Sequence, residues 1–416
     1  MGHGPFAFAA ALGTASVLLA GAAQAADCGQ IVLGAALSET GKYSANGKNT
    51  KEGYEFAIDK IKKAGGLKVG GKCYNFTIKY YDDESTPARG AQLVERLISQ
   101  DNIQYMLGPY SSGLTKAIAP VTEKYKIPMV EAEGASRSLF TQGYRYMFAA
   151  LSTSEQYLNT AIALAAEKAT ESGKKPSSVK VAMIYESDPF SLDVRAGVLE
   201  DMKKFGMQAV VDDKMPRDLN DMSAFLTKVR ALKPDVLLIS GHEKGAITGA
   251  RQIGEMKIDV PMIGITHCES AKIVQDYPAA SEGVLCPTQW AETLTYKGKL
   301  LGSAAEFDKE FRAAYPDYKT VPYQTAQAAA AIAIMKDAFE RSGSLDKEKL
   351  RDALAKTDLM TFYGPIKFAP DGRNIGKPMV LRQIQGGKYV VVAPTKFASA
   401  KAVWPRSSKM AGAEKH

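Results

Sequence analysis

Apolar residues along the chain fall into short unbroken runs, separated by longer stretches in which they recur every three or four positions. Ile31 to Leu37 is the first such run. A polar turn follows, and then Tyr54, Ala57, Ile58 and Ile61 occupy positions i, i+3, i+4 and i+7 of one helix face, which Gly65 and Gly66 terminate. The alternation continues with a strand over Tyr74 to Tyr81 and a helix over Pro87 to Gln100 that turns Ala91, Val94, Leu97 and Ile98 inward. A strand over Gln104 to Leu107, a helix over Leu114 to Lys124 and a strand over Ile127 to Val130 complete the series. Apolar strands joined by amphipathic helices predict an α/β protein whose parallel sheet is covered on both faces.

After a strand over Tyr144 to Ala149 the rhythm restarts. Ser152 and Glu155 have the spacing of a capping box for a helix reaching Ala169. Strands over Lys180 to Tyr185, Gln208 to Asp213, Val236 to Ser240 and Pro261 to Ile265 then alternate with helices over Ser191 to Phe205, Met222 to Leu232 and Gly245 to Met256. This predicts a second parallel sheet. Beyond Gly283 to Pro287 come a helix capped by Ser303 with Glu306, an Ala-rich helix from Gln324 to Ser342, a helix from Lys347 to Lys356, and short strands around Ile366, Leu381 and Val390. The later segments must complete both sheets, giving two Rossmann-like lobes. The length agrees, since it exceeds what one hydrophobic core comfortably holds.

The N-terminal segment stands apart from this pattern. Phe6 to Ala20 is apolar or small throughout and leads to Ala23, Gln24 and Ala25, the small-x-small sequence of a signal-peptidase site, so residues 1–25 are expected to be a cleaved leader and the mature chain to start near Ala26. Asp27 before Cys28 does not fit a lipobox, so a diffusible product outside the cytoplasm, in the periplasm, is expected. Four cysteines in an exported chain suggest two disulfides. Cys28 and Cys73 each precede a strand by three residues and meet if those strands are adjacent and parallel; Cys268 and Cys286 flank the ends of two neighbouring elements. Each bridge is expected to add about 3 to 4 kcal/mol in the chain-entropy model. No two cysteines have the two-to-four-residue spacing of zinc ligands, so no metal or other cofactor is expected. The formal charge of +8 is spread over lysines and arginines that alternate with acids, without interleaved aromatics, which argues against a nucleic-acid partner. Residues 396–416 form a more basic tail, expected to fray.

In an open parallel sheet ligands bind beyond the carboxyl ends of the strands, where helix N-termini present free N–H groups. The turn Gly108, Pro109, Tyr110, Ser111, Ser112, Gly113 joins a buried strand to a helix and suits a carboxylate, although Ser111 or Ser112 can equally serve as a plain helix cap. Glu133, Gly134, Ala135 and Ser136 form a similar nest, with Arg137 beside it as counter-ion or surface base. The corresponding turns of the second half carry Phe190, His242 with Glu243, and Thr266 with His267. Phe190 in a polar loop either stacks on a ligand or folds back into its own core, and each histidine either donates to a ligand or is structural. Trp290 is either a hinge-packing aromatic or a ligand wall. No catalytic constellation appears: Pro109 and Tyr110 break a Gly-x-Ser-x-Gly elbow, no P-loop follows any strand, and the first strand leads into Ser38, Glu39, Thr40, Gly41 where a dinucleotide fingerprint would stand.

Taken together, strand Ile31 to Leu37 with its Ser-Glu-Thr-Gly turn, the helix ending Lys62, Lys63, Ala64, Gly65, Gly66, the triplet Tyr81, Asp82, Asp83, the turn Gly108 to Gly113 and the terminal Tyr363, Gly364, Pro365, Ile366, Lys367, Phe368 resemble the type I periplasmic binding proteins of branched-chain amino-acid ABC transporters, the Leu-Ile-Val binding family. The resemblance covers essentially the whole mature chain. It implies a monomeric receptor of two lobes joined by a three-strand hinge, lobe 1 being residues 26–148 plus 288–363 and lobe 2 residues 149–287 plus 364–395, closing on a small carboxylate-bearing solute and delivering it to a membrane permease. Carried over by position, Ser111 and Ser112 meet the carboxylate with help from Ala135 and Ser136, Phe190 supplies the second-lobe aromatic, and His242 falls on the next ligand-facing loop. The family's amino-acid binders place a carboxylate where this chain has Thr266 and His267, so unless Glu243 or Glu269 substitutes, an acid without an ammonium, such as an aromatic carboxylate, gains ground over an α-amino acid. A sensor for amides or urea shares the Ser-Glu-Thr-Gly turn and is the alternative, ahead of an enzyme on the same fold.

Overall fold

The structure, a computed structural model, describes residues 1, 2, 4, 28–217 and 219–406. The expected leader therefore lies almost wholly outside the described residues. The chain alternates β1 (Gly29–Leu37), α1 (Ser44–Lys63), β2 (Leu67–Val69), β3 (Lys72–Asp82), α2 (Pro87–Ser99), β4 (Met106–Leu107), α3 (Ser112–Lys124), β5 (Met129–Glu131) and β6 (Met147–Ala149). These strands form one sheet in the order β2-β3-β1-β4-β5-β6, parallel except for the β2–β3 hairpin.

The second half contributes α4 (Asn159–Glu171), β7 (Lys180–Glu186), α5 (Pro189–Phe205), β8 (Gln208–Met215), α6 (Ser223–Leu232), β9 (Val236–Ser240), α7 (Glu243–Glu255), β10 (Met262–Ile265), the short α8 (Ile273–Asp276) and α9 (Pro278–Ser281), and β11 (Leu285–Thr288). The chain then recrosses through β12 (Lys297–Gly298), β13 (Gly302–Ser303), α10 (Ala304–Ala314), α11 (Tyr323–Ser342), α12 (Lys347–Ala355) and the hairpin β14 (Asp358–Thr361) with β15 (Gly364–Lys367). It ends in the antiparallel pair β16 (Val380–Gln385) and β17 (Lys388–Ala393), which extends the second sheet to the order β17-β16-β11-β10-β9-β7-β8. The α/β architecture with two mainly parallel sheets is thus as the sequence pattern predicts, but the later segments complete only the second sheet: β12 pairs with β13 and β14 with β15, as separate hairpins that add no strand to the first.

Both disulfides form in the expected pairs. Cys28–Cys73 stands where β1 and β3 run in parallel register, one residue before the Gly29–Tyr74 pair, and Cys268–Cys286 joins the end of β10 to β11. Helix α11 is the spine of lobe 1: every residue from Tyr323 to Met335 is buried. Its small residues admit α1 at close range, so close that a Cβ on Gly53 would lie 2.3 Å from the Thr325 carbonyl oxygen.

Two local expectations are corrected. Ser152 caps no helix; a 3-10 turn over Ser154–Gln156 precedes α4, because the Ser152 N–H donates to Gln289 Oε1 and its hydroxyl to the Lys377 carbonyl. The pair Ser303 and Glu306, by contrast, forms a complete capping box on α10. The tail does not fray where it is described: Val403 N–H donates to Gln383 Oε1 at 2.7 Å and Arg406 N–H to the Pro261 carbonyl at 2.8 Å, laying residues 396–406 along the second sheet's domain.

The lobes are linked by three crossings, near Ser152, Gln289 and Lys377; the third lies beyond the expected 363/364 boundary, because β15 still pairs with β14 and the Gly372 carbonyl accepts the Ala149 N–H of the first sheet. Gln289 binds the first through paired amide bonds to Ser152, and the Lys377 ammonium donates to the Gln289 carbonyl oxygen. That ammonium sits 4.4 Å from the centre of the Tyr363 ring, and burial lowers the pKa of Lys377 to about 7.

Candidate ligand site

A small cavity of about 10 Å³, room for a single water molecule, lies between the lobes at the carboxyl ends of both sheets. Lobe 1 supplies Tyr110, Ser111 and Ser112 from the β4–α3 turn, Glu133 from the turn after β5, and Tyr323 and Gln327 from α11; the segments beyond the first crossing supply Tyr157, Phe190, His242 and His267. Each second-lobe residue except Tyr157 follows a parallel strand, at β7, β9 and β10 in turn. The topology itself therefore brings them together.

Ser111 caps α3, its Oγ accepting the Leu114 N–H at 3.3 Å, and holds a φ of +80°, a costly conformation for a residue with a side chain. Ser112 Oγ accepts the Ser136 N–H at 2.9 Å, which leaves its own hydrogen to donate. Tyr110 reaches across the cleft, its hydroxyl 3.1 Å from His242 Nδ1, and the other ring nitrogen of His242 is 3.5 Å from Asp188 Oδ1. Asp188 also caps α5 by accepting the N–H groups of Phe190 and Ser191. Phe190 lies edge-on to Tyr157, centroids 5.0 Å apart, and its ring is 5.2 Å from that of His267.

The charges are set by burial and by these pairings. Burial disfavours the imidazolium of His242, but the carboxylates of Asp188 and Glu186 outweigh it, so its pKa is raised. Burial likewise opposes ionisation of Asp188, and His242 reverses that, holding it below the usual carboxylate range. Glu186, buried beside them, is raised to about 7. His267 behaves oppositely: burial, with the nearby charge of His242, lowers its pKa to about 3, so its ring is neutral. Its Nδ1 is buried without a hydrogen-bond partner. In lobe 1, burial drives Glu133 well above the carboxylate range even though Gln327 and Thr50 donate to it. Its neighbour Glu131, accepting the N–H groups of Glu133 and Gly134 and the Thr115 hydroxyl, is raised to about 7 by the same cause.

Of the residues singled out in the sequence, Tyr110, Ser111, Ser112, Phe190, His242 and His267 line the cavity. Five others lie outside its wall. Ala135 lends its carbonyl to the Ser154 N–H, and the Ser136 hydroxyl pairs with Ser138. Thr266 Oγ1 exchanges two hydrogen bonds with the Gly241 backbone, tying β10 to β9. Trp290 packs on Phe307 and Phe362 and donates to the Phe362 carbonyl, so it is hinge packing. Arg137 is a surface partner of Glu200 and Asp193. The substitutes considered for an ammonium partner are engaged elsewhere, Glu269 with Arg382 and Glu243 with Asn46 of lobe 1. Sequence reasoning missed Tyr157, Tyr323 and Gln327. The last two are four residues apart on one face of an otherwise small, buried helix, and that spacing is the signal that could have found them.

A family model described as periplasmic binding protein matches residues 30–388. The chain is 24% identical over 396 residues to "Leu/Ile/Val-binding protein homolog 8" of Brucella suis biovar 1 (strain 1330), covering 92% of this chain and 96% of that relative. Among solved structures it is similar to a leucine binding protein from Thermotoga maritima MSB8, with a TM-score of 0.74 at 21% identity over 88% of this chain and 98% of the other. It is equally similar to an ABC-transporter solute binding protein from R. palustris in complex with benzoate, TM-score 0.74 at 19% identity, covering 90% and 98%.

Proposed function

The chain belongs to the periplasmic binding protein family, and on that premise we propose that it is the solute-binding component of an ABC transporter of the branched-chain amino-acid type, closing its lobes on a small carboxylate-bearing solute and delivering it to a membrane permease. The relatives' names and complexes, leucine in one case and benzoate in another, share a carboxylate, which supports the class. The observation that carries the proposal is the polarity of the cleft. The N-terminus of α3, with the Ser112 hydroxyl at its first turn, faces a His242 whose pKa is raised, so both walls favour an anion.

The same wall offers little to an ammonium. Asp188 is committed to His242, burial keeps Glu133 protonated, and the residue after β10 is a neutral histidine. A buried ammonium without an anionic partner is costly. Within the proposal an aromatic or aliphatic acid therefore ranks above an α-amino acid, and the rings of Tyr110, Tyr157, Phe190 and Tyr323 suit a flat apolar body.

Residues 1–25 fit a cleaved leader that would place the mature chain in the periplasm. Among the described residues no helix is long and apolar enough to cross a membrane. Intact mass of the secreted chain tests the leader. The solute is tested by thermal shift with leucine, isoleucine, benzoate, hydroxybenzoates and urea, since a ligand at 100 times its Kd adds about 2.7 kcal/mol. Stabilisation by a benzoate is expected, together with a smaller radius of gyration on binding. Failure of every carboxylate to stabilise the chain would overturn the proposal, and stabilisation by urea alone would favour an amide sensor.

A further inference from the structure

Cysteine spacing offers no metal site, but folding brings other donors together. Glu186 at the end of β7, Asp188 two residues later and His242 after β9 are all buried, and one oxygen or nitrogen from each lies within 4.8 Å of the others. We propose that Glu186, Asp188 and His242 bind a divalent first-row transition-metal ion.

The donors are held by outer partners as metal ligands are. His242 Nδ1 faces the Tyr110 hydroxyl, which fixes the ring and leaves Nε2, the nitrogen on the Asp188 side, to coordinate. Glu186 Oε1 accepts the His242 N–H at 3.1 Å, and Asp188 Oδ1 accepts two N–H groups of the α5 N-terminus. Gly241 and Gly245 let the backbone close on Glu186; a Cβ on either would meet Oε1 at 2.5 and 2.6 Å. Once the ion displaces the proton from His242 Nε2, two carboxylates with a neutral imidazole match its 2+ charge, and the imidazole favours first-row transition metals over magnesium or calcium. A spacing of 4.8 Å is slightly wide for metal bonds of about 2.0 to 2.2 Å, so the side chains draw in on binding.

Two further atoms point to a guest here. Asp188 is 2% exposed, yet its Oδ2 has no hydrogen-bond partner. Nδ1 of His267 is also buried and unpartnered, in a ring centred 5.2 Å from that of His242. Three protein donors leave coordination positions open on the side of the cavity, for water or for a donor from His267.

The probe is Co²⁺ added to the secreted chain, freed of residues 1–25 and so of His3, after chelator treatment and dialysis, with no solute present. One equivalent is expected to bind with the d–d absorption of a nitrogen- and oxygen-ligated ion, displaced by Zn²⁺. Glu186→Gln and His242→Gln should each weaken binding at least tenfold, while Glu243→Gln, next in sequence but outside the cluster, should not. Should those variants fail to fold, paramagnetic broadening in the unaltered chain decides the matter: the His242 and His267 resonances should broaden, and not His416 alone. Absence of binding, variants that bind as tightly as the parent, or broadening confined to His416 would overturn the inference. Because the titration contains no carboxylate solute, a chain that binds Co²⁺ but no acid would refute the transport proposal and leave this one standing, and the converse result would do the reverse.

Discussion

The bond between Tyr110 and His242 joins the two lobes through one hydroxyl, so it exists only when the cleft is shut. Tyr110→Phe keeps the ring and removes that bond, worth about 1 kcal/mol. Solute affinity should fall about fivefold in a calorimetric titration, with the melting temperature of the solute-free chain little changed; undiminished affinity would show that the bond does not weight closure. Glu131 allows a second prediction. Burial raises its folded pKa to about 7 from an ordinary 4.5, so the folded chain holds the proton more tightly than the unfolded one. The resulting stability is fully present below the ordinary value and is lost as pH rises through about 7, some 3 kcal/mol in all. In urea melts Glu131→Gln should flatten the fall in unfolding free energy across that window, and an unchanged slope would sink the assignment. At this scale the sequence was only partly legible. Ser111 and Ser112 were locatable because a strand, a turn and a helix place them by local rules, whereas Tyr157 and Tyr323 stand 166 positions apart, and only the closed fold makes them neighbours.

Elements were legible wherever a periodic apolar face sufficed to define them. The strand and helix alternation follows from burial of whole strands and one helix face, and it survives in both sheets. Ser152 and Ser303 show the limit of such rules. Both begin the same four-residue signal, but Ser303 stays with its own helix while Ser152 is recruited by Gln289 and Lys377 from distant segments. Long-range bonds of that kind leave no local trace. Packing between helices gives a test: at Gly53 the backbone of α1 meets α11 with no room for a side chain. Gly53→Ala should cost about 2 kcal/mol despite alanine's better helix propensity, because the helices must part. A calorimetric melting temperature equal to the parent's would contradict that close approach.

Across the whole molecule the three crossings meet around Lys377, whose ammonium has carbonyl and ring partners and no carboxylate within bonding distance among the described residues. Its folded pKa of about 7 lies below the ordinary 10.5, so the folded chain releases this proton more readily than the unfolded one. Stability should therefore rise between about pH 7 and 10.5, by up to about 5 kcal/mol from this group. Lys377→Met should remove that rise in denaturant melts at a series of pH values, and a parent-like slope in the variant would place the effect elsewhere.

The crossings also touch the cavity wall. Gln289 Nε2 donates to the Tyr157 hydroxyl, and the Tyr363 hydroxyl is shared between Gln289 and Gln327, which in turn donates to Glu133. Phe190 and His267 share no hydrogen bond with Gln289, Tyr363 or Lys377. Anyone converting this receptor into a fluorescent biosensor thus has two unequal sets of dials. On the proposed function, replacing Tyr157 or Gln327 should change the analyte and the baseline signal together, because the pivot loses a partner. Phe190 and His267 touch that pivot only through ring packing, Phe190 on Tyr157 and both on His242, so on the proposed function replacing them should retune the analyte with a smaller shift of the baseline.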